Sequence, residues 1–232
     1  MTLTIIKAPA ANAGSNATIC STGTYTLSGA TAGNYASLAW TTSGTGSFNN
    51  ATILNPVYTP SAADITAGTV TLTLTANANA PCANAVSSMT LSITKTPTAN
   101  AGGNSTICSS AAYSITTASA TNYLSLLWTT SGTGTFNNQT IINPIYTPSA
   151  ADISAGTVTL TLTANANAPC TNANNSMTLT ITKAPVANAG PNGSTCQGTA
   201  YTVGGASASN YLTILWTAPG PGVLTNASTL TP

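Results

Sequence analysis

The segment YTPSAADITAGTVTLTLTANANAPC, residues 58–82, contains the strongest strand signal in the chain. In its second half Val70, Leu72 and Leu74 alternate with threonine residues. A period of two is typical of a β-strand with one buried face and one solvated face. The NANAP sequence that follows is rich in turn-forming residues and ends the strand before Cys82. Each copy of the segment is therefore predicted to hold a turn, a long central strand and a loop that ends in cysteine.

The same segment returns at residues 146–170 with a single change, Thr66 to Ser154, so the chain is a tandem repeat. The period is 88 residues (108 − 20 and 196 − 108), measured between the first cysteines of successive repeats. We therefore divide the chain into residues 1–7, the last strand of a preceding repeat; 8–95 and 96–183, two complete repeats; and 184–232, the first half of a further repeat. We expect the chain to be an excerpt from a longer array.

Charged residues make up only 2% of the chain, against roughly 25% in ordinary soluble domains. The formal net charge of +1 excludes an electrostatic contact with nucleic acid or anionic lipid, both of which need clustered Lys and Arg. No apolar run approaches the ~18 residues that cross a membrane, so we expect no membrane insertion of this segment. The surface must consist of neutral polar side chains, which tolerate association with neighbouring repeats and with identical chains.

The five cysteines are distributed as two per complete repeat plus Cys196, whose partner we expect beyond residue 232. This parity, in a chain without His, predicts disulfides and therefore export to an oxidising compartment. The favoured pairing lies within each repeat: Cys20 with Cys82, and Cys108 with Cys170. The two cysteines of one repeat are, however, expected at opposite ends of a seven-strand sandwich. A bridge between repeats, Cys20 with Cys170, is therefore the alternative.

Seven short strands are predicted in each repeat, with turn residues between them and no sustained helical period. In the first repeat they cover residues 18–20, 25–27, 37–42, the neighbourhood of 48, 53–58, 69–76 and 89–94. One tryptophan per repeat is predicted as a core aromatic: Trp40, Trp128 and Trp216. The pattern predicts an all-β fold of tandem antiparallel Greek-key β-sandwiches of the immunoglobulin type. The short KAPAANAG junction at residues 7–14 predicts a fairly fixed angle between adjacent repeats.

Four motifs carry a resemblance to a known family: ANAG at 11–14, TIC at 18–20, LAWTTSGTGSF at 38–48 and YTPSAADITAGTVTLTLTA at 58–76. With them the whole chain resembles the PKD-like, immunoglobulin-like repeats of giant cell-surface adhesins of the Bacteroidetes. It is most similar to those of the gliding-motility adhesin that the type IX secretion system delivers. The resemblance implies an exported fibrous stalk, and it implies little about what any single repeat binds.

The residue types that catalysis requires are missing from the chain. There is no His, and neither complete repeat contains Glu or Arg, so a Ser-His-Asp triad, a Cys-His pair and paired catalytic carboxylates are excluded. One Asp per repeat does not supply the several carboxylates of a calcium site. We therefore expect no enzyme activity, no cofactor and no metal site.

Each complete repeat contains one Asp and ends in one Lys, and both are expected at the same end of the sandwich. This placement predicts two junction ion pairs: Asp64 with Lys95, and Asp152 with Lys183. An exposed pair contributes about 0–1 kcal/mol, so the pairs would orient the junction rather than stabilise the repeat. The alternative is that Asp is a turn residue and Lys a solvated strand end.

These observations predict a structural stalk: repeats of a long extracellular, cell-surface filament or adhesin that provide reach and rigidity for surface attachment or gliding motility. The first alternative is a self-assembling filament, sheath or surface-layer protein in which neutral Thr and Asn faces pack between chains. The second is a carbohydrate-binding module in which Tyr35, Tyr123 and Tyr211, if exposed, stack on surface polysaccharide. Near-identity of the repeats favours the stalk, because a dedicated binding tip would differ from its stalk.

Overall fold

The structure of the chain, a computed structural model that describes residues 1–232, confirms the predicted all-β fold. The first repeat contains β1 Ala10–Asn12, β2 Ala17–Cys20, β3 Tyr25–Thr26, β4 Thr31–Gly33, β5 Ser37–Thr42, β6 Ser47–Phe48, β7 Val57–Thr59, α1 Ala62–Ala67, β8 Thr69–Asn77 and β9 Ala85–Thr94. The second contains β10 Thr98–Asn100, β11 Ser105–Cys108, β12 Tyr113–Ser114, β13 Ser119–Thr121, β14 Tyr123–Thr130, β15 Thr135–Phe136, β16 Ile145–Thr147, α2 Ala150–Ala155, β17 Thr157–Ala166 and β18 Ala173–Thr182. Two more strands follow, β19 Val186–Asn188 and β20 Ser207–Ser209.

The alternation in β8 places one set of side chains in the core and the threonines on the opposite face. Val70, Leu72 and Leu74 are at most 3% exposed. The antiparallel register sets Val70 opposite Leu91 and Leu72 opposite Met89, both buried residues of β9. Full burial of an aliphatic side chain contributes roughly 1.5–3 kcal/mol, so this strand pair is a main source of the stability of the repeat.

Each complete repeat has its own core. The first cluster of 13 buried residues extends from Ala13 to Ile93, and the second cluster of 12 extends from Ala101 to Ile181. The two clusters share no residue, so each repeat is stabilised by burial of its own apolar side chains.

Each complete repeat contains a four-stranded sheet, a three-stranded sheet and a two-stranded pair. In the first repeat the strand orders are β2-β9-β8-β5, β3-β7-β6 and β1-β4, and the second repeat has the same arrangement. The pairs are antiparallel except at one edge, where β2 runs parallel to β9 and β11 runs parallel to β18. The prediction of a purely antiparallel sandwich is corrected at this edge. There the first strand of the large sheet runs toward the same end of the repeat as the last strand.

The structure has nine strands in each complete repeat where seven were predicted, because the short pair β1 and β4 was missed, and two of the predicted strands differ in bounds by more than one residue. The strand predicted over 53–58 is only β7, which begins at Val57 because Pro56 has no N–H to contribute to a ladder. The last strand, predicted over 89–94, begins at Ala85, and its register with β8 continues to the pair Ala76 and Ala85. Its first four residues contain only one large apolar side chain, Val86, which is exposed, and therefore carry no clear apolar alternation.

The helices α1 and α2 are absent from the prediction, which assigned a turn to this region. Ser61 is the N-cap of α1: its Oγ accepts from Asp64 N at 3.1 Å, and the Asp64 carboxylate accepts from Ser61 N at 3.0 Å. Gly68 ends the helix with φ +78°, a left-handed conformation that suits glycine. Six residues are too few to show a helical period in the sequence.

Residues 184–232 form β19 and β20 and no further helix or strand. Trp216 and Ile214 are half-buried there, whereas their equivalents in the second repeat, Trp128 and Leu126, are buried. A cavity of about 530 Å³ lies beside Trp216 and is lined mostly by apolar side chains.

Candidate functional site: the junction between repeats

Strands β2 and β9 of the first repeat end side by side at the junction, because their parallel register places Cys20 beside Thr94. The second repeat contributes the loop between β17 and β18. Thr94 Oγ1 donates to the carbonyl oxygen of Ala168 in that loop at 3.3 Å. On the first repeat, Thr96 N donates to Ser21 Oγ at 3.1 Å and so holds the linker against the end of β2. The junction is therefore a contact between two folded repeats.

A disulfide crosses this junction and joins Cys20 of the first repeat to Cys170 of the second. Their Cα atoms are 4.9 Å apart, within the roughly 4.4–6.8 Å that a disulfide requires. The favoured pairing of Cys20 with Cys82 is therefore wrong, and the alternative between repeats is the one formed. The reason is distance. Cys20 lies beside the last residue of β9, whereas Cys82 lies just before its first residue, and the 10 residues of β9 span about 30 Å. The two cysteines are therefore too far apart to form a bridge.

The same reason excludes the favoured pairing of Cys108 with Cys170. Three cysteines are free in this structure: Cys82, Cys108 and Cys196. Cys82 nevertheless has the environment of Cys170, because its Sγ lies 3.5 Å from Ile6 O, while the Sγ of Cys170 lies 3.3 Å from Thr94 O. In each repeat this cysteine thus contacts the segment that immediately precedes the repeat, although residues 1–7, predicted as a last strand, form no strand in the structure.

A second polar centre is the buried carboxylate of Asp64, which is 2% exposed. Its Oδ1 accepts from Thr45 N at 2.9 Å. Its Oδ2 accepts from Gly46 N at 2.9 Å, from Tyr58 Oη at 2.7 Å and from Ser61 N at 3.0 Å. The carboxylate therefore ties the turn after β5, the strand β7 and the start of α1 together.

These contacts determine the protonation states of the two carboxylates and of the tyrosine that donates to each. Burial raises the pKa of Asp64, but the hydrogen bonds from backbone N–H groups and from Tyr58 lower it by more, so the pKa is below its ordinary value. Asp152 accepts the same four bonds, and its pKa is lowered for the same reason. Burial, together with the hydrogen bond to Asp152, raises the pKa of Tyr146 to about 12. The carboxylates are thus ionised acceptors with four donors each, and neither is free to act as a base.

The predicted ion pair of Asp64 with Lys95 is wrong, because all four hydrogen bonds of this carboxylate come from neutral donors. The pair of Asp152 with Lys183 is wrong for the same reason. The carboxylates point into the repeats, whereas both lysines are exposed. Sequence reasoning treated Asp64 as a turn residue or a surface charge and missed its role as a buried acceptor.

Two glycines make room for this carboxylate. A Cβ on Gly44 would collide with Asp64 Oδ1, and a Cβ on Gly46 would lie 2.6 Å from Asp64 Oδ2 and 2.6 Å from Thr59 O. The SGTG sequence at 43–46 therefore forms a turn and also leaves the space that the carboxylate of Asp64 occupies. The signal that could have revealed the centre is this SGTG turn combined with the Ser61-x-x-Asp64 capping pattern.

In structure the chain is similar to cadherin repeats. Drosophila N-cadherin EC1-4 matches 75% of this chain and 49% of its own length with 14% identity and a TM-score of 0.43. Protocadherin gamma B2 extracellular cadherin domains 3-6 match 86% of this chain and 55% of their own length, with 14% identity and a TM-score of 0.43. Mouse cadherin-23 EC22-24 matches 77% of this chain and 67% of its own length, with 14% identity and a TM-score of 0.43.

The chain spans about half the length of the N-cadherin and protocadherin gamma B2 structures. No protein-family model and no curated protein sequence matches it. Similarity at this level carries no conclusion about binding or activity, so the function must be argued from the residues of this chain.

The aromatic side chains singled out in the sequence differ in their exposure to solvent. Trp40 is 3% exposed and Trp128 is fully buried, whereas Trp216 lines the cavity in residues 184–232. Three tyrosines at equivalent positions are 39%, 41% and 46% exposed: Tyr35, Tyr123 and Tyr211. Each of these rings thus keeps part of its surface in solvent. Neither α1 nor α2 has the length and hydropathy of a membrane-crossing helix.

Proposed function

We propose that this chain is part of the stalk of a long extracellular filament or cell-surface adhesin, in which the repeats provide reach and rigidity. The observation that carries the proposal is the bridge between Cys20 and Cys170. A disulfide inside one domain stabilises that domain alone, whereas a disulfide between domains restrains their relative orientation. A spacer benefits from that restraint, while an independent binding module has no need of it.

Three further observations support an extracellular setting. Disulfides persist in oxidising compartments. The only basic side chains are three exposed lysines, so trypsin has few sites to cleave. The motifs that resemble gliding-motility adhesins favour attachment or motility at a bacterial cell surface as the setting.

Electron microscopy and small-angle X-ray scattering test the stalk proposal. The chain is compared with a variant in which residues 96–183 are present in two additional copies. We expect single unbranched rods whose length increases by the same amount for each added repeat. Flat lattices, bundles of several chains or a compact particle of unchanged length would contradict a stalk that acts by reach.

A second candidate is lateral assembly, which the outer face of the four-stranded sheet favours. Thr73 and Ser88 are hydrogen-bonded across β8 and β9 at 2.8 Å, and this face carries no charged side chain. Val86 on the same face is 62% exposed. Sedimentation velocity over a range of concentrations tests this candidate, which requires association that Thr73→Lys abolishes. A monomer at all concentrations would exclude it.

A further inference from the structure

The bridge between Cys20 and Cys170 closes a covalent loop with a sequence separation of 150 residues, and nearly all of both cores lie inside it. Of the buried hydrophobic residues, only Ala13 precedes the loop, and only Met177, Leu179 and Ile181 follow it. The loop therefore includes most of both complete repeats.

We propose that this bridge makes the chain a tether to which unfolding of residues 21–169, most of both complete repeats, adds no length. Tension applied at the two ends follows the shortest covalent path, which is residues 1–20, the disulfide and residues 170–232. The intervening residues lie outside that path, so their unfolding adds no length. The inference deepens the stalk proposal and rests on it for its biological use, since a stalk transmits force between a surface and its target.

The size of the effect follows from the length of the loop. An extended chain covers up to about 3.3–3.6 Å per residue, so the 150-residue separation corresponds to about 500 Å of hidden length. The longest strands of a folded repeat, with 10 residues, span only about 30 Å. A stalk without the bridge would thus lengthen many-fold once its repeats unfolded, whereas the bridged chain keeps its reach.

The part of the chain that remains in the path is itself well anchored. Strand β18 is its longest element and pairs with β11 on one side and with β17 on the other. Pulling β18 out of the sheet therefore breaks two ladders of hydrogen bonds. At the other end β2, which leads to Cys20, is paired with β9.

Single-molecule force spectroscopy on the full chain, with handles at residues 1 and 232, tests the proposal. Under non-reducing conditions we expect the total contour length released on unfolding to fall about 500 Å short of that measured with reductant. Cys170→Ser should release the full length without reductant. Cys108→Ser is the matched control, because Cys108 is free, and it should leave the shortfall unchanged.

Disulfides within each repeat would give a different result in this experiment. If each repeat were bridged internally, the hidden loops would have separations of 62 residues (82 − 20 and 170 − 108), and Cys108→Ser would release about 200 Å. That release, or full extension of the oxidised chain, would overturn the proposal. None of these outcomes depends on whether chains form rods or lattices, so failure of the tether and failure of the stalk remain distinguishable.

Discussion

At the scale of single residues, Asp64 shows how one charged side chain organises a repeat that has almost no others. Its carboxylate is buried, and each lost contact with water is replaced by a hydrogen bond from the backbone or from Tyr58. A buried carboxylate is tolerated only when it is satisfied in this way, because an unpaired buried charge costs several kcal/mol. The residue therefore holds the turn after β5 in place.

Replacing both carboxylates by amides, with Asp64→Asn and Asp152→Asn, should lower the free energy of unfolding of each repeat by about 2–4 kcal/mol. An amide loses the charge-assisted hydrogen bonds and turns an NH₂ group toward backbone donors. Urea unfolding followed by tryptophan fluorescence measures the change. The matched control is Lys95→Gln with Lys183→Gln, which should shift stability by no more than about 0.5 kcal/mol. An equal loss of stability in the lysine control would contradict this prediction and favour ion pairs between Asp and Lys.

The same residues predict the response to acid. The pKa values of Asp64 and Asp152 are lowered on folding, so at low pH the unfolded chain binds more protons than the folded chain. The stability they contribute is complete above the ordinary Asp pKa of about 4 and is lost as the pH falls through the folded-state values. Urea midpoints measured at acidic pH should therefore fall for the natural chain and stay nearly constant for the double Asn variant. A parallel fall in both chains would contradict this assignment.

At the scale of elements, the repeat depends on a turn, a strand and a short helix that meet around the carboxylate. The SGTG turn after β5 supplies two backbone N–H donors, β7 supplies Tyr58, and α1 presents its N-terminus. Each element is too short to be stable alone, so their common acceptor connects them.

A methyl group in the turn should disrupt this arrangement. Gly46→Ala places a Cβ 2.6 Å from both Asp64 Oδ2 and Thr59 O, and overpacking of this kind costs about 1–3 kcal/mol. We expect a clear fall in the Tm measured by calorimetry. Gly33→Ala is the control, since a Cβ at that position meets no atom within 4 Å. Similar Tm values for the two variants would contradict this prediction and show that the turn rearranges to accommodate the methyl group.

At the scale of the whole molecule, the chain consists of separate cores connected at a covalent junction. Each complete repeat buries its own apolar cluster, whereas the junction consists of polar contacts and the bridge from Cys20 to Cys170. Folding and connection are therefore separate properties: the cores stabilise the repeats, and the disulfide restrains their orientation.

Reduction should consequently loosen the junction without unfolding the repeats. Hydrogen exchange measured by mass spectrometry should show that β8 and β17, which lie in the cores, stay protected, and that exchange is faster in β2 and in the loop before β18. Cys108→Ser should exchange like the natural oxidised chain. Loss of protection throughout β8 and β17 on reduction would show that the bridge stabilises the cores.

The 88-residue period, the all-β fold and the inward face of β8 could be predicted from the amino-acid sequence, because they depend on local alternation and on copies of one pattern. Sequence reasoning favoured the wrong pairing of the cysteines and the wrong partner for the lone Asp of each repeat. The cysteine pairing depends on a distance between residues 150 apart in the chain, and the contacts of Asp64 depend on how a turn, a strand and a short helix pack together. Only the tertiary structure, through the parallel register of β2 with β9, brings Cys20 to the junction and within reach of Cys170.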